Sequence, residues 1–125
     1  MQLLNEQFSN EPSTVRVYGR GTGAATSALT SVKGKGIASI ARTGVGTHTI
    51  TFSDRWQGLL NFTFTVLDAG TVDDWEVTPI EDALLASKTL KIVVFKGGTA
   101  TDLPVTAKLL FEVVVSNTSQ KPAGF

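Results

Sequence analysis

The chain has 125 residues, no cysteine, and a formal net charge of zero from 11 basic and 11 acidic side chains. That is the length of one domain, enough to bury a usable core without metals or disulfides. The lack of cysteine excludes a disulfide scaffold, a thiolate metal site and a cysteine nucleophile; the balanced charge disfavours a nucleic-acid partner, which needs a dense positive field.

In chain order, residues 1–13 read as an N-terminal arm with isolated apolar anchors at Leu3, Leu4 and Phe8 and no clear periodicity. Met1 to Pro12 lacks the basic and apolar regions of a signal peptide, and no apolar run approaches the ~18–20 residues that cross a bilayer, so no membrane partner is expected. Thr14 to Tyr18 alternates as a short strand. Val32 to Arg42 reads as a further strand with its glycines at one end, and Thr43-Gly44-Val45-Gly46 as the turn of a hairpin. The returning strand is Thr47–Ser53, with His48, Ile50 and Phe52 on one face and threonines on the other. Leu60 to Val66 alternates in the same way, with Leu60, Phe62, Phe64 and Val66 facing one side.

Further along, Trp75 to Val77 predicts a short strand halted by Pro79, and Ile80–Ser87 about two helical turns, marginal alone. Leu90–Phe95 and Ala107–Val115 are nearly continuous apolar runs, which places them either centrally in a sandwich or under a neighbouring subunit. The Gly97–Pro104 loop between them is long enough to reach a partner, with Thr99, Asp102 and Leu103 as its candidate contact residues. Residues 117–125 form a polar C-terminal tail ending on Phe125. Seven or eight short strands with Gly, Thr and Asp turns predict a single-domain, all-β sandwich over residues 14–116, of open or jelly-roll-like topology, with one short helical turn.

Charge is unevenly spread. Residues 1–50 carry five basic groups against two acidic ones, and residues 51–100 carry seven acidic groups against four basic ones. A mixed solvated surface accounts for this, as does head-to-tail complementarity between copies of the chain.

Catalytic machinery is not evident. The single histidine, His48, sits mid-strand beside apolar residues, and no serine lies in a Gly-x-Ser-x-Gly elbow. Gly19-Arg-Gly21-Thr-Gly23 and Gly34-Lys-Gly36 are not followed by the helix a phosphate loop needs, and read as turn and bulge glycines. Asp73, Asp74, Glu76, Glu81 and Asp82 lack the spacing of a calcium loop. Trp56 and Trp75 are either packed residues or platforms for sugar rings. No catalytic residue, cofactor or metal is therefore expected.

The stretch Val32 to Trp56 (VKGKGIASIARTGVGTHTITFSDRW) resembles a hairpin of small virion structural proteins of tailed bacteriophages: a Gly-rich entry, an Ala-Arg-Thr-Gly-x-Gly turn, and an alternating threonine strand ending in Asp. The later order, an alternating strand, an acidic connection and two final apolar strands, extends the resemblance over about two thirds of the chain. It implies a capsid decoration (cement) protein that binds the phage major capsid protein on the outside of the expanded shell as a trimer or other cyclic oligomer. No site residue carries over, because the shared feature is a fold element. On this expectation the chain is a non-enzymatic virion component made in the host cytoplasm, with Leu3, Leu4, Phe8, Phe125 and the Gly97–Pro104 loop as contact elements. A tail-tube, neck or head-completion role is the neighbouring alternative, and a carbohydrate-binding β-sandwich module the alternative of another class.

Overall fold

The computed structural model describes residues 14–69 and 73–116; the expected arm and tail, with Leu3, Leu4, Phe8 and Phe125, lie outside them. In chain order the elements are β1 (Thr14–Thr22), β2 (Thr30–Lys33), β3 (Ile37–Gly44), β4 (Thr47–Phe52), β5 (Gly58–Asp68), β6 (Trp75–Ala83), α1 (Leu84–Ser87), β7 (Thr89–Lys96), β8 (Thr99–Ala100) and β9 (Ala107–Ser116). They build an all-β sandwich of two antiparallel sheets packed face to face. One sheet has the order β2-β1-β9-β5; the other has β3-β4-β7-β6, with β8 added to β7. The consecutive pairs β1–β2, β3–β4 and β6–β7 stay within one sheet as hydrogen-bonded neighbours. The connectivity is therefore that of paired neighbours, and not the sheet-to-sheet alternation of a jelly roll.

The two apolar runs are the central strands. β9 lies between β1 and β5, and β7 between β4 and β6. Their inward side chains meet: Leu109, Phe111, Val113 and Val115 from one sheet, Leu90, Ile92 and Val94 from the other, with Ile50 and Phe52 of β4. All nine are at most 4 % exposed. At ~1.5–3 kcal/mol for each fully buried large apolar side chain, these strands supply the main drive to fold. Phe62 of β5 stacks on Phe111 with ring centroids 5.9 Å apart.

The β3–β4 hairpin forms where its alternation and glycines place it, turning at Val45 and Gly46, the latter with φ 67°. The alternation of β5 also holds, with Asn61, Thr63, Thr65 and Leu67 exposed and Phe62, Phe64 and Val66 half-buried. Three expectations are corrected. Val32–Arg42 is not one strand: it divides between β2 and β3, which belong to opposite sheets. Gly34 and Gly36 have φ of 143° and 95°, which a continuing strand cannot accommodate. Pro79 does not halt β6, because β6 is the outer strand of its sheet and its register shifts between Pro79 and Glu81; an edge with a bulge tolerates a missing N–H. The helix is shorter than expected, since residues 80–83 belong to β6, with 81–83 paired to β7, and only Leu84–Ser87 are helical. Arg55 donates from Nη1 to the carbonyls of Leu85 (2.6 Å) and Ala86 (3.0 Å), satisfying acceptors that a one-turn helix leaves open.

Candidate protein-contact surface

The residues with the best chemical credentials are employed inside the fold. His48, on the inner face of β4, is 1 % exposed, and neither ring nitrogen has a hydrogen-bond partner. Burial pushes its pKa down; Asp102 nearby pulls it up and Arg42 opposes that. A neutral imidazole sealed in an apolar layer reaches no substrate. Asp102 accepts from Arg42 Nε and Nη2, each at 3.0 Å, and from the Gly46 backbone N–H at 2.8 Å. The bidentate guanidinium holds the Asp102 carboxyl below the usual carboxylate range.

This arrangement changes the picture of the Gly97–Pro104 loop. It is not a free arm: Thr99 and Ala100 pair with Lys96 and Phe95, Asp102 fastens it to β3, and Leu103 is 1 % exposed within the core. Of the three candidate contact residues, Thr99 alone presents an exposed side chain. Leu103 is already spent on the protein's own interior. The backbone also closes over the loop, since Ala25 N–H donates to the Leu103 carbonyl at 3.2 Å.

Several acidic side chains likewise have structural work. Asp73 pairs with Lys96 at 3.3 Å and Glu81 with Lys91 at 3.4 Å. Asp82 accepts from the N–H groups of Leu59 (2.9 Å) and Leu84 (3.1 Å), tying β5 to the start of α1. Among the described residues no three His, Asp or Glu side chains gather as metal ligands, and no helix is long and apolar enough to cross a membrane. Trp56 and Trp75 are half-buried against the core with their indole Nε1 atoms buried and unpartnered. Lys96 Nζ lies 5.4 Å from the Trp75 ring centroid. The Trp75 ring is thus covered by a cation, whereas Trp56 borders a groove beside β1.

An open surface does exist, centred on Tyr18. Alternation along β1 buries Val17, half-buries Val15 and turns Arg16, Tyr18 and Arg20 outward, and Tyr18 is 61 % exposed. Two grooves flank it. One, of about 300 Å³, has Leu110 and Phe111 in its lining with Arg20 and Lys33; the other, of about 350 Å³, runs past Val15 and Trp56 with Lys35 and Asp54. Arg16 reaches Glu112 at 3.0 Å, whereas Arg20, Lys33 and Lys35 have no ion pair among the described residues. The first groove is lined by Gly34, which packs so close to β1 that a Cβ there would stand 2.3 Å from the Tyr18 carbonyl oxygen.

Sequence reasoning missed this surface, although its signal was present. In Val15-Arg16-Val17-Tyr18-Arg20 the period-two rule puts the tyrosine with the arginines and away from the valines. An aromatic ring among unpaired cations suits a protein partner with acidic and apolar groups. Compared with family models, with curated proteins and with solved structures, the chain matches none.

Proposed function

We propose that this chain is a non-enzymatic structural protein of a tailed-phage virion, binding the major capsid protein as a decoration protein and stabilising the shell from outside. The observation that carries the reading is the division of labour among side chains. The histidine and the carboxylates Asp73, Glu81, Asp82 and Asp102 are engaged within the fold, while Tyr18, Arg20, Lys33 and Lys35 form an open, partner-ready surface. The Val32–Trp56 resemblance supplies the kind of partner. Repeated weak contacts over a symmetric shell then add to firm attachment.

Co-sedimentation with purified expanded capsids tests this. Saturable binding that Tyr18→Ala with Arg20→Glu weakens at least tenfold is the expected result. A folded chain that stays in the supernatant at every capsid concentration overturns it.

A second reading, a tail-tube, neck or head-completion component, is favoured by one feature: the outer strand β5 offers an open edge through which copies could pair into a ring. The carbohydrate-binding reading has less support, since both indoles are half-buried. A shift of tryptophan fluorescence on adding saccharides would restore it.

A further inference from the structure

A sandwich of two open sheets has four outer strands, each a template for another chain unless something blunts it. Here these are β2, β3, β5 and β6. Three are blunted. β2 has four residues and ends in Lys33. β3 shifts register near both ends and carries Arg42. β6 contains Pro79, a register shift and three carboxylates, Glu76, Glu81 and Asp82.

β5 differs. It is the longest strand, at 11 residues, and has no charged side chain before Asp68 and no proline. Its irregularity lies near its start, between Leu59 and Asn61, where Asp82 already occupies the Leu59 N–H. From Asn61 to Leu67 it is regular, about 20 Å of strand.

The orientation of its backbone follows from the ladder. Gln57 N–H donates to the Ser116 carbonyl and Ala69 N–H to the Thr106 carbonyl, both at even positions of the β9 segment, whereas the Ala107 carbonyl accepts from Gly23 on the β1 side. The even positions of β9 therefore face β5, and their partners Asn61, Thr63, Thr65 and Leu67 use their backbone groups inward. Phe62, Phe64 and Val66 turn theirs outward, and no strand among the described residues meets them. Their side chains, together with Trp75 opposite, are only half-buried, so the sandwich stands ajar along this margin.

We propose that this margin is a self-association site, at which β5 pairs antiparallel with β5 of a second copy about a two-fold axis at Phe64. The occupant follows from self-complementarity. With Phe64 opposite its own counterpart, Phe62 faces Val66 and Thr63 faces Thr65 of the second copy, both favourable cross-strand pairs. Asn61 faces Leu67, Asp68 faces Leu60, and no charge meets its like. About six backbone hydrogen bonds close the edge, and the half-buried phenylalanines are covered from the side. The contact is isologous, so it saturates at two copies and does not propagate. It goes beyond the decoration reading, which names no contact between copies, and uses a margin separate from the Tyr18 grooves; it is an alternative to the ring that the second reading builds on the same edge.

The test is the mass of the full-length chain in solution by light scattering, without capsids. A dimer is expected for the wild type. T63K/T65K, which sets lysine against lysine across the axis, is expected to give a monomer, and T63K/T65E, which sets lysine against glutamate, to restore the dimer. A wild-type monomer, or a mass unchanged in T63K/T65K, overturns the proposal. Circular dichroism checks that the variants fold. Should they not, the absence of native cysteine allows a second measurement. Mixed T63C and T65C chains should oxidise to a covalent dimer in excess over either alone, and equal yields overturn the register. Capsid binding is read separately. A dimer that ignores capsids sinks the decoration reading and leaves this pairing intact. A monomer that binds capsids, and loses binding in T63K/T65K, assigns the edge to a capsid segment and overturns the second copy as its occupant.

Discussion

The two margins of the sandwich are built from similar residues and finished in opposite ways. At the β2/β3 margin the chain fastens itself from far along its length. Arg42 clasps Asp102, Ala25 N–H bonds the Leu103 carbonyl at 3.2 Å, and Ile40 and Leu29 are 2 % and 6 % exposed. At the β5/β6 margin Asp82 accepts from the Leu59 N–H across the gap, and Phe62, Phe64, Val66 and Trp75 stay half-buried. Hydrophobicity does not separate the two. What separates them is whether a distant loop of the same chain crosses the opening. Closure by the chain itself serves stability; the margin left open is the one the proposed pairing would close.

That contrast can be broken by measurement. Ile40→Ala at the fastened margin should cost about 3 kcal/mol in urea unfolding, within the range for a buried isoleucine. Asp102→Ala, which leaves the Arg42 guanidinium and the Gly46 N–H without their acceptor, should cost about 2 kcal/mol by the same assay. Phe64→Ala at the open margin should cost only about 1–1.5 kcal/mol in a chain held monomeric by T63K/T65K, in proportion to its partial burial. If it matches Ile40→Ala, the margins are equally closed and the comparison fails.

The smallest effect is one of pH. Burial lowers the folded pKa of His48 below its ordinary 6.5. The unfolded chain then binds the proton more readily, and stability declines as pH falls through 6.5. Asp102 acts in a lower window: its carboxyl is held below its ordinary 3.8, so the stability it confers is present above that value and lost as pH falls beneath it. His48→Leu should flatten the upper decline and leave the lower one, as followed by unfolding free energy from pH 8 to pH 3.

How much of this was legible in the sequence depended on range. The β3–β4 hairpin and the alternation of β5 were, because a period of two and a glycine turn are local signals. The passage of β6 through Pro79 was not, since edge position is a property of the assembled sheet. Gly34 and Gly36 read as glycines at one end of a single Val32–Arg42 strand, because the crossing between sheets that sets their φ values has no local signal. The Asp102–Arg42 clasp joins residues 60 positions apart, which no spacing rule reveals. It turned an apparent reaching loop into a fastening. Tyr18 could have been read from alternation alone, whereas the first groove beside it required Gly34 to be placed against β1.

The position of β9 has a consequence in time. Both long ladders of its sheet run through it, with Thr14 opposite Ser116 and Gly58 opposite the same residue. During synthesis from the N-terminus, β3 with β4 and β6 with β7 can zip as soon as each pair has emerged. β1 must wait for about a hundred residues before its principal neighbour exists, and loop closure on that scale is slow. The sheet containing β9 is thus the late-folding half, and until Ser116 is made the apolar strand β5 lacks its neighbour in the sheet. A nascent chain in that state is the form most in need of a chaperone.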